Sequence, residues 1–263
     1  MTMWATHIKD LEDVSEYANG IHYARDRAAS LAKSSVGERR DFFRAVGEAL
    51  TFRGDDQLLD GYVVSFCEAP DRLTLWKSYS PPDAGVSVGY DWSADTSTTV
   101  LMTKCIYAEE EKEAVIDQML ADYAIKDPST VVARLAEHRH EPPSWITAQQ
   151  LRGIGFALDL MMYAPAFKHA AFLDEREWRV LVVPGRPFTP RVRTRNGRSV
   201  RYAEIPLEKD GELCVESVWV GPGRGMVERV GTVESLLSQI GSRSSPKFRC
   251  GGVRRSEVPL RPL

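Results

Sequence analysis

Two glutamates two residues apart, Glu175 and Glu177, sit in the stretch Glu-Arg-Glu-Trp-Arg-Val. They lie immediately before, or at the start of, an extended segment. Side chains at i and i+2 of a strand share a face, which brings the two carboxylates together with Arg179 beside them. Such a pair can position a nucleophile or stabilise the oxocarbenium-like species formed when a glycosidic C–N or C–O bond breaks. The same residues also read as a structural ion pair in which Arg179 and Lys168 satisfy the glutamates.

A second group is Leu75-Trp76-Lys77-Ser78-Tyr79, where Trp76 and Tyr79 stand three apart on one helical face. They offer either an aromatic wall for a nucleobase or nicotinamide, or a half-buried pair that seals the core. Gly221-Pro222-Gly223-Arg224-Gly225 joins a strand to a helix, so the backbone N–H groups around Gly221 and Gly223 could meet a phosphate. Met226 breaks the G-x-G-x-x-G register and no Walker loop occurs, so neither nucleotide fingerprint is met. His138 and His140 invite a metal reading, but helix positions two apart diverge and no third ligand is evident. A solvated helix end is the simpler account, and no metal is expected. Arg186, Arg191, Arg193, Arg195, Arg198 and Arg201 form a basic hairpin suited either to phosphates or to neutralising the acidic N-terminal part.

The elements that must position these groups are legible in outline. Leu11 to Lys33, with Asp10 as N-cap, and a second helix from Ser35 to Leu50 predict an N-terminal helical hairpin. Tyr62 to Cys67 reads as a buried strand, Asp71 to Tyr79 as a short helix, and Val86–Tyr90 and Thr98–Tyr107 as further strands. Ala108 to Lys126, Val131 to His138 and Thr147 to Tyr163 follow as helices, the first opened by glutamates. Glu177 to Val183 is the strongest strand signal. Asn196-Gly197 marks a hairpin turn, Val215 to Val220 is a strand, a helix follows Gly225, and the last strand includes Phe248 to Val253. The expected fold is α+β: a single domain over residues 1–263 with a central mixed or antiparallel sheet flanked by helices. Residues 1–54 are its helical flank and 61–263 its sheet-containing core.

The 263 residues, 43% hydrophobic and 27% charged, exclude wholesale disorder and a disulfide-stapled miniprotein. The net charge of −3 conceals an asymmetry: residues 1–175 carry 17 Lys and Arg against 28 Asp and Glu, and residues 176–263 carry 17 against 9. Four dispersed cysteines without a C-x-x-C pair fit a reducing compartment, and no apolar stretch reads as a signal peptide or membrane span. A cytoplasmic location without a membrane partner is therefore expected.

Taken in order, several pieces resemble a bacterial family of unknown function, DUF2971. They are Met3-Trp4-Ala5-Thr6 with Asp10, Asp13 and Glu16; Ser65-Phe66-Cys67; Leu75-Trp76-Lys77-Ser78-Tyr79 before Gly85-Val86-Ser87-Val88-Gly89-Tyr90; Lys168; Glu175 to Val180; Val220-Gly221-Pro222; and Ser256-Glu257-Val258-Pro259-Leu260-Arg261. This resemblance spans nearly the whole chain. The Glu-x-Glu strand and the aromatic-rich order are in turn similar to ADP-ribosyltransferase-like domains, a fold-level analogy. That likeness implies NAD as substrate with no tightly bound cofactor. Glu177 becomes the essential carboxylate, Glu175 its helper, Arg179 and Lys168 charge partners, and Trp76 and Tyr79 the pocket wall. The resemblance also implies a strand and a helix ahead of the Trp4 segment that this sequence does not show, and hence a chain that binds without catalysing or an incomplete gene product.

Two functions follow from these readings. One is NAD-dependent ADP-ribosyl transfer or NAD cleavage onto a protein or nucleic-acid acceptor. The other is a non-catalytic nucleotide- or macromolecule-binding module of a defence or stress system, with the basic C-terminal region as its contact surface. Catalysis requires Glu177 in a cleft without an obligatory cation. The binding module predicts a closed pair of Glu177 with Arg179 or Lys168 on a shallow surface.

Overall fold

The computed structural model describes residues 2–11, 14–52, 61–81, 84–90, 99–137, 141–183, 188–195, 197–206, 212–243 and 247–259. It is a single α+β domain with two sheets and a layer of helices. The larger sheet is antiparallel throughout. In sheet order it comprises β4 (Thr99–Lys104), β5 (Glu177–Val183), β2 (Tyr62–Cys67), β1 (Thr2–His7), β7 (Arg198–Pro206) and β6 (Arg191–Arg195). The smaller sheet is mixed: β8 (Glu212–Val220) pairs antiparallel with β3 (Val86–Tyr90) and parallel with β9 (Lys247–Cys250) and β10 (Val253–Arg255). Parallel neighbours need a crossover, which α7 (Met226–Arg243) supplies.

The helical layer holds α1 (Val14–Ser34), α2 (Gly37–Phe52), α4 (Glu109–Ile125), α5 (Pro128–Glu137) and α6 (Ala148–Tyr163). Their apolar stripes meet around Phe42, Val46, Leu120, Phe156 and Leu160, which form the largest apolar cluster together with Phe167. Three glutamates occupy the first turn of α4, and Thr147 with Gln150 closes a capping box on α6. Among the described residues no helix is long and apolar enough to cross a membrane.

Three sequence expectations are corrected. Residues 1–54 are not only a helical flank, because β1 lies inside the larger sheet between β2 and β7. Its alternation is short and polar, and burial comes from neighbours far along the chain. Asp10 does not cap α1: it sits in a 3-10 turn, Ile8–Asp10, and accepts from the Arg201 backbone N–H at 2.8 Å and from its guanidinium at 2.9 Å. A two-pronged bond to an oppositely charged guanidinium holds this carboxylate more firmly than backbone N–H groups at a helix end would. The single last strand is two, β9 and β10, because Gly251 packs against the Glu216 carbonyl where a Cβ would stand 2.2 Å away, and Gly252 adopts φ +126°. His138 and His140, with Arg186 and Asn196, lie outside the described residues.

Helices α2 and α6 cross at Gly153, where a Cβ would come within 2.7 Å of the Ala45 carbonyl carbon. Helix propensity favours Ala over Gly by about 1 kcal/mol, but backbone cannot yield as a flexible side chain would. Gly153→Ala is therefore expected to lower stability by about 1–2 kcal/mol, read from urea unfolding midpoints. An unchanged or raised midpoint would mean that the helices can separate without cost.

Candidate functional site

The two glutamates are brought together by a turn and not by strand alternation. Glu175 ends a 3-10 helix, Ala170–Glu175, and Arg176 takes a left-handed conformation at φ 43° before Glu177 opens β5. Backbone bonds fix this corner: Glu177 N–H donates to the Tyr107 hydroxyl at 2.8 Å, and the Glu177 carbonyl accepts from Cys105 N–H at 2.9 Å. Lys168 arrives from the other side. Its neighbour Phe167 belongs to the helical core, while the Lys168 N–H is held by the Ile106 carbonyl at 2.9 Å.

Lys168 Nζ donates to Glu175 Oε2 at 2.5 Å and to Glu177 Oε2. Arg179 Nε donates to Glu177 Oε1 at 2.7 Å, and its Nη1 to the Pro165 carbonyl. Tyr79 completes the group from α3 (Leu73–Tyr79), its hydroxyl donating to Glu175 Oε1 at 3.1 Å. All four charged residues are buried, with Lys168 only 2% exposed. Two carboxylates and two cations leave the cluster formally neutral, the arrangement that burial of charge demands.

The electrostatics follow from this closure. Burial raises the Glu177 pKa, but the Arg179 charge and hydrogen bonds from Arg179, Lys168 and Ser65 outweigh it and hold the carboxyl below its ordinary value. Burial likewise works against the Lys168 ammonium, yet the hydrogen bonds and charges of Glu175 and Glu177 leave its pKa raised. Tyr79 is pushed up to about 12, first by burial of the hydroxyl and then by the Glu175 charge. Lys168 therefore stays an ammonium with no lone pair to offer, and Glu177 a doubly neutralised, weakly basic carboxylate.

The cluster forms part of the wall of a cavity of about 960 Å³ framed by both sheets and α3. The larger sheet contributes Trp4, Thr6, Ser65, Glu177, Trp178 and Arg179. The smaller sheet contributes Val88, Glu216, Ser217, Trp219 and Arg254. Trp76 and Tyr79 both line it, so a concavity does join Trp76 to Glu177. Each competing reading thus receives half of what it required: the glutamate is closed by cations, and the surface is deep.

Of the residues singled out from sequence, the structure gathers Glu175, Glu177, Lys168, Arg179, Trp76 and Tyr79 in one place. Gly221 and Gly223 do not join them. The Gly221 N–H is already donated to the Gly85 carbonyl at 2.9 Å, and a Cβ there would sit 2.9 Å from the Trp76 ring. This glycine makes room for an indole; it does not present its amide to a phosphate. Trp76 itself is only 7% exposed, whereas Trp4 at 47% offers a much more open ring. Trp178, Trp219 and Arg254 are further wall residues that sequence reasoning missed. Arg254 lies over the Trp219 ring at 5.5 Å.

Asp71 was missed as well, although it anchors the wall. Its carboxylate accepts from Trp76 Nε1 at 2.7 Å, Ser256 Oγ at 2.6 Å and Glu257 N–H at 2.7 Å, tying α3 to the segment after β10. The signal available was its place ahead of α3 and the Ser256-Glu257 pair. Among the described residues no three His, Cys, Asp or Glu side chains gather as a metal site.

The fold and the cavity define an α+β protein with a deep aromatic pocket over a neutral buried ion cluster. In comparison with known proteins, residues 75–180 match the family of proteins of unknown function DUF2971. That stretch runs from within α3 to the middle of β5 and contains all six gathered residues. It is narrower than the near-complete resemblance read from sequence, since Trp4, Gly221 and Ser256 fall outside it. No curated protein and no solved structure matches the chain.

Two outcomes follow. The depressed Glu177 pKa means that the unfolded chain takes up its proton first as pH falls. The stability that Glu177 contributes is present above 4.5, its ordinary value, and is lost as pH drops through the folded value. Urea midpoints should therefore lose the Glu177 contribution only as pH falls below 4.5, and the fall there should be less steep in Glu177→Gln; equal slopes would contradict the ion cluster. Asp71→Ala strands three donors and should cost about 1–3 kcal/mol, with a red shift in tryptophan emission as water reaches Trp76. Unshifted emission would show that α3 keeps its seat without Asp71.

Proposed function

We propose that the cavity binds a nucleotide-type ligand, a flat heterocycle on a ribosyl phosphate, with NAD as the first candidate, and that the Lys168–Glu175–Glu177–Arg179 cluster is its floor. The observation that carries this reading is the cavity itself: about 960 Å³, walled by Trp4, Trp76, Trp178 and Trp219, with Arg195 and Arg254 in its lining. Ligand pockets run from about 300 to 1,000 Å³, so this one suits a dinucleotide better than a lone base. Indole faces stack bases for about 1–3 kcal/mol each, and guanidinium forks match phosphate oxygens. Glu216 and Ser217 supply acceptors and a hydroxyl for ribose.

A second reading, NAD cleavage, is favoured by one feature, that Glu175 and Glu177 both face the cavity. It requires the nicotinamide C–N bond to break with the electron pair leaving on nicotinamide while a carboxylate stabilises the ribosyl cation. Closure of Glu177 by two cations supports binding over cleavage, because a carboxylate so neutralised has less charge to lend.

The test is titration with NAD, ADP-ribose and ATP, followed by tryptophan fluorescence, with proton NMR of the same NAD samples. Saturable binding without nicotinamide release is expected, weakened by Val88→Trp, which sets an indole into the cavity wall. Release by the wild type that disappears in Glu177→Gln would establish cleavage instead. No saturable binding of NAD, ADP-ribose or ATP would overturn both.

A further inference from the structure

Among the described residues the larger sheet ends at β6, which has no strand beyond it in the sheet order. Three of its five residues are arginines, Arg191, Arg193 and Arg195, alternating and so sharing one face. Directly opposite Arg195 on β7 stands Arg198, and like charges so placed weaken a strand pair. Arg191 is balanced by Glu204 at 2.8 Å and Arg201 by Asp10 at 2.9 Å. Arg193 is held differently. Its guanidinium lies 5.2 Å from the Trp4 ring centroid and 5.6 Å from that of Tyr202, and Nη2 donates to Thr6 Oγ1 at 3.1 Å. Trp4 and Arg195 also line the cavity, so cations and an open indole run from the sheet edge into it.

Resting on the reading of that cavity as a nucleotide pocket, we infer that the β6–β7 hairpin and Trp4 form a track for single-stranded nucleic acid. Its phosphates lie along Arg193, Arg195 and Arg198, a base stacks on Trp4, and the terminal nucleotide enters the cavity. Charge on an edge strand also deters strand addition, but that role needs no indole beside it. Trp4 already packs on Arg193 and Tyr202, but its ring stays half exposed, and an acidic peptide would satisfy the guanidiniums while leaving that open part uncovered. Alternating basic and aromatic groups are what a single strand requires. The charge distribution agrees, because the net excess of positive residues lies entirely after residue 175.

The experiment is fluorescence anisotropy of a labelled twelve-nucleotide oligouridine at 50–200 mM KCl, with wild-type protein and Arg198→Ser. Each phosphate contact on a single strand contributes about −0.7 to the slope of log K against log salt, so three contacts give about −2. Arg198 does not line the cavity, so Arg198→Ser should flatten the slope by about 0.7 while leaving NAD binding as it was. Oligouridine binding no tighter than uridine monophosphate, or an unchanged slope in Arg198→Ser, would overturn the track. Equal binding of a polyglutamate peptide of the same length would overturn it in favour of an acidic protein partner. Oligouridine binding with an Arg198-dependent slope, but no binding of NAD or ADP-ribose, would uphold the track and remove the dinucleotide reading of the cavity.

Discussion

A lysine ammonium buried between two carboxylates, one of them also held by a buried guanidinium, constrains everything around it. Each of these ions would cost several kcal/mol if sealed from water alone, so all four must be placed together or not at all. They come from three places: the loop after α6, the 3-10 turn before β5, and β5 itself. Arg179 also reaches the Pro165 carbonyl, and Tyr79 extends the network to α3. The cluster therefore joins the helical layer, the larger sheet and the aromatic helix. It turns a packing contact into a requirement for one register.

The cavity is a consequence of that anchoring. Two sheets face a common space because α3 is pinned at its C-terminal end by Tyr79 on the ion cluster and at its middle by Trp76 on Asp71. Asp71 is itself held by Ser256 and Glu257, so the chain's late residues set the position of a wall formed much earlier. Close packing of the Trp76 ring on Gly221 and Gly85 leaves the indole no freedom to swing. Such a wall is preorganised, and a ligand entering it has little ordering cost to meet.

Intramolecular neutralisation accounts for part of the charge asymmetry in the hairpin and not for all of it. Arg201 neutralises Asp10 and Arg191 neutralises Glu204, which is intramolecular balance. Arg193 sits on aromatic rings and a hydroxyl, which is not. The division follows strand geometry: neighbours across the sheet decide which guanidiniums find a carboxylate.

What the sequence determined by itself was local. Apolar spacing of 3.6 or 2 marked α4, α6, β2, β3 and β5 because those periods reflect each element's own burial, and Glu-x-Glu with Arg179 announced a charged cluster. β1 was not legible, since six residues with no strong alternation become a strand only when β2 and β7 flank them. Only the tertiary structure decided that Lys168 closes the glutamates and that Gly221 serves an indole instead of a phosphate. It also assembled one pocket from Trp4, Trp178 and Trp219, and put Asp71 in reach of Ser256. These depend on contacts between residues tens to hundreds of positions apart, and periodicity along a chain carries no information about which distant side chains will meet across a fold.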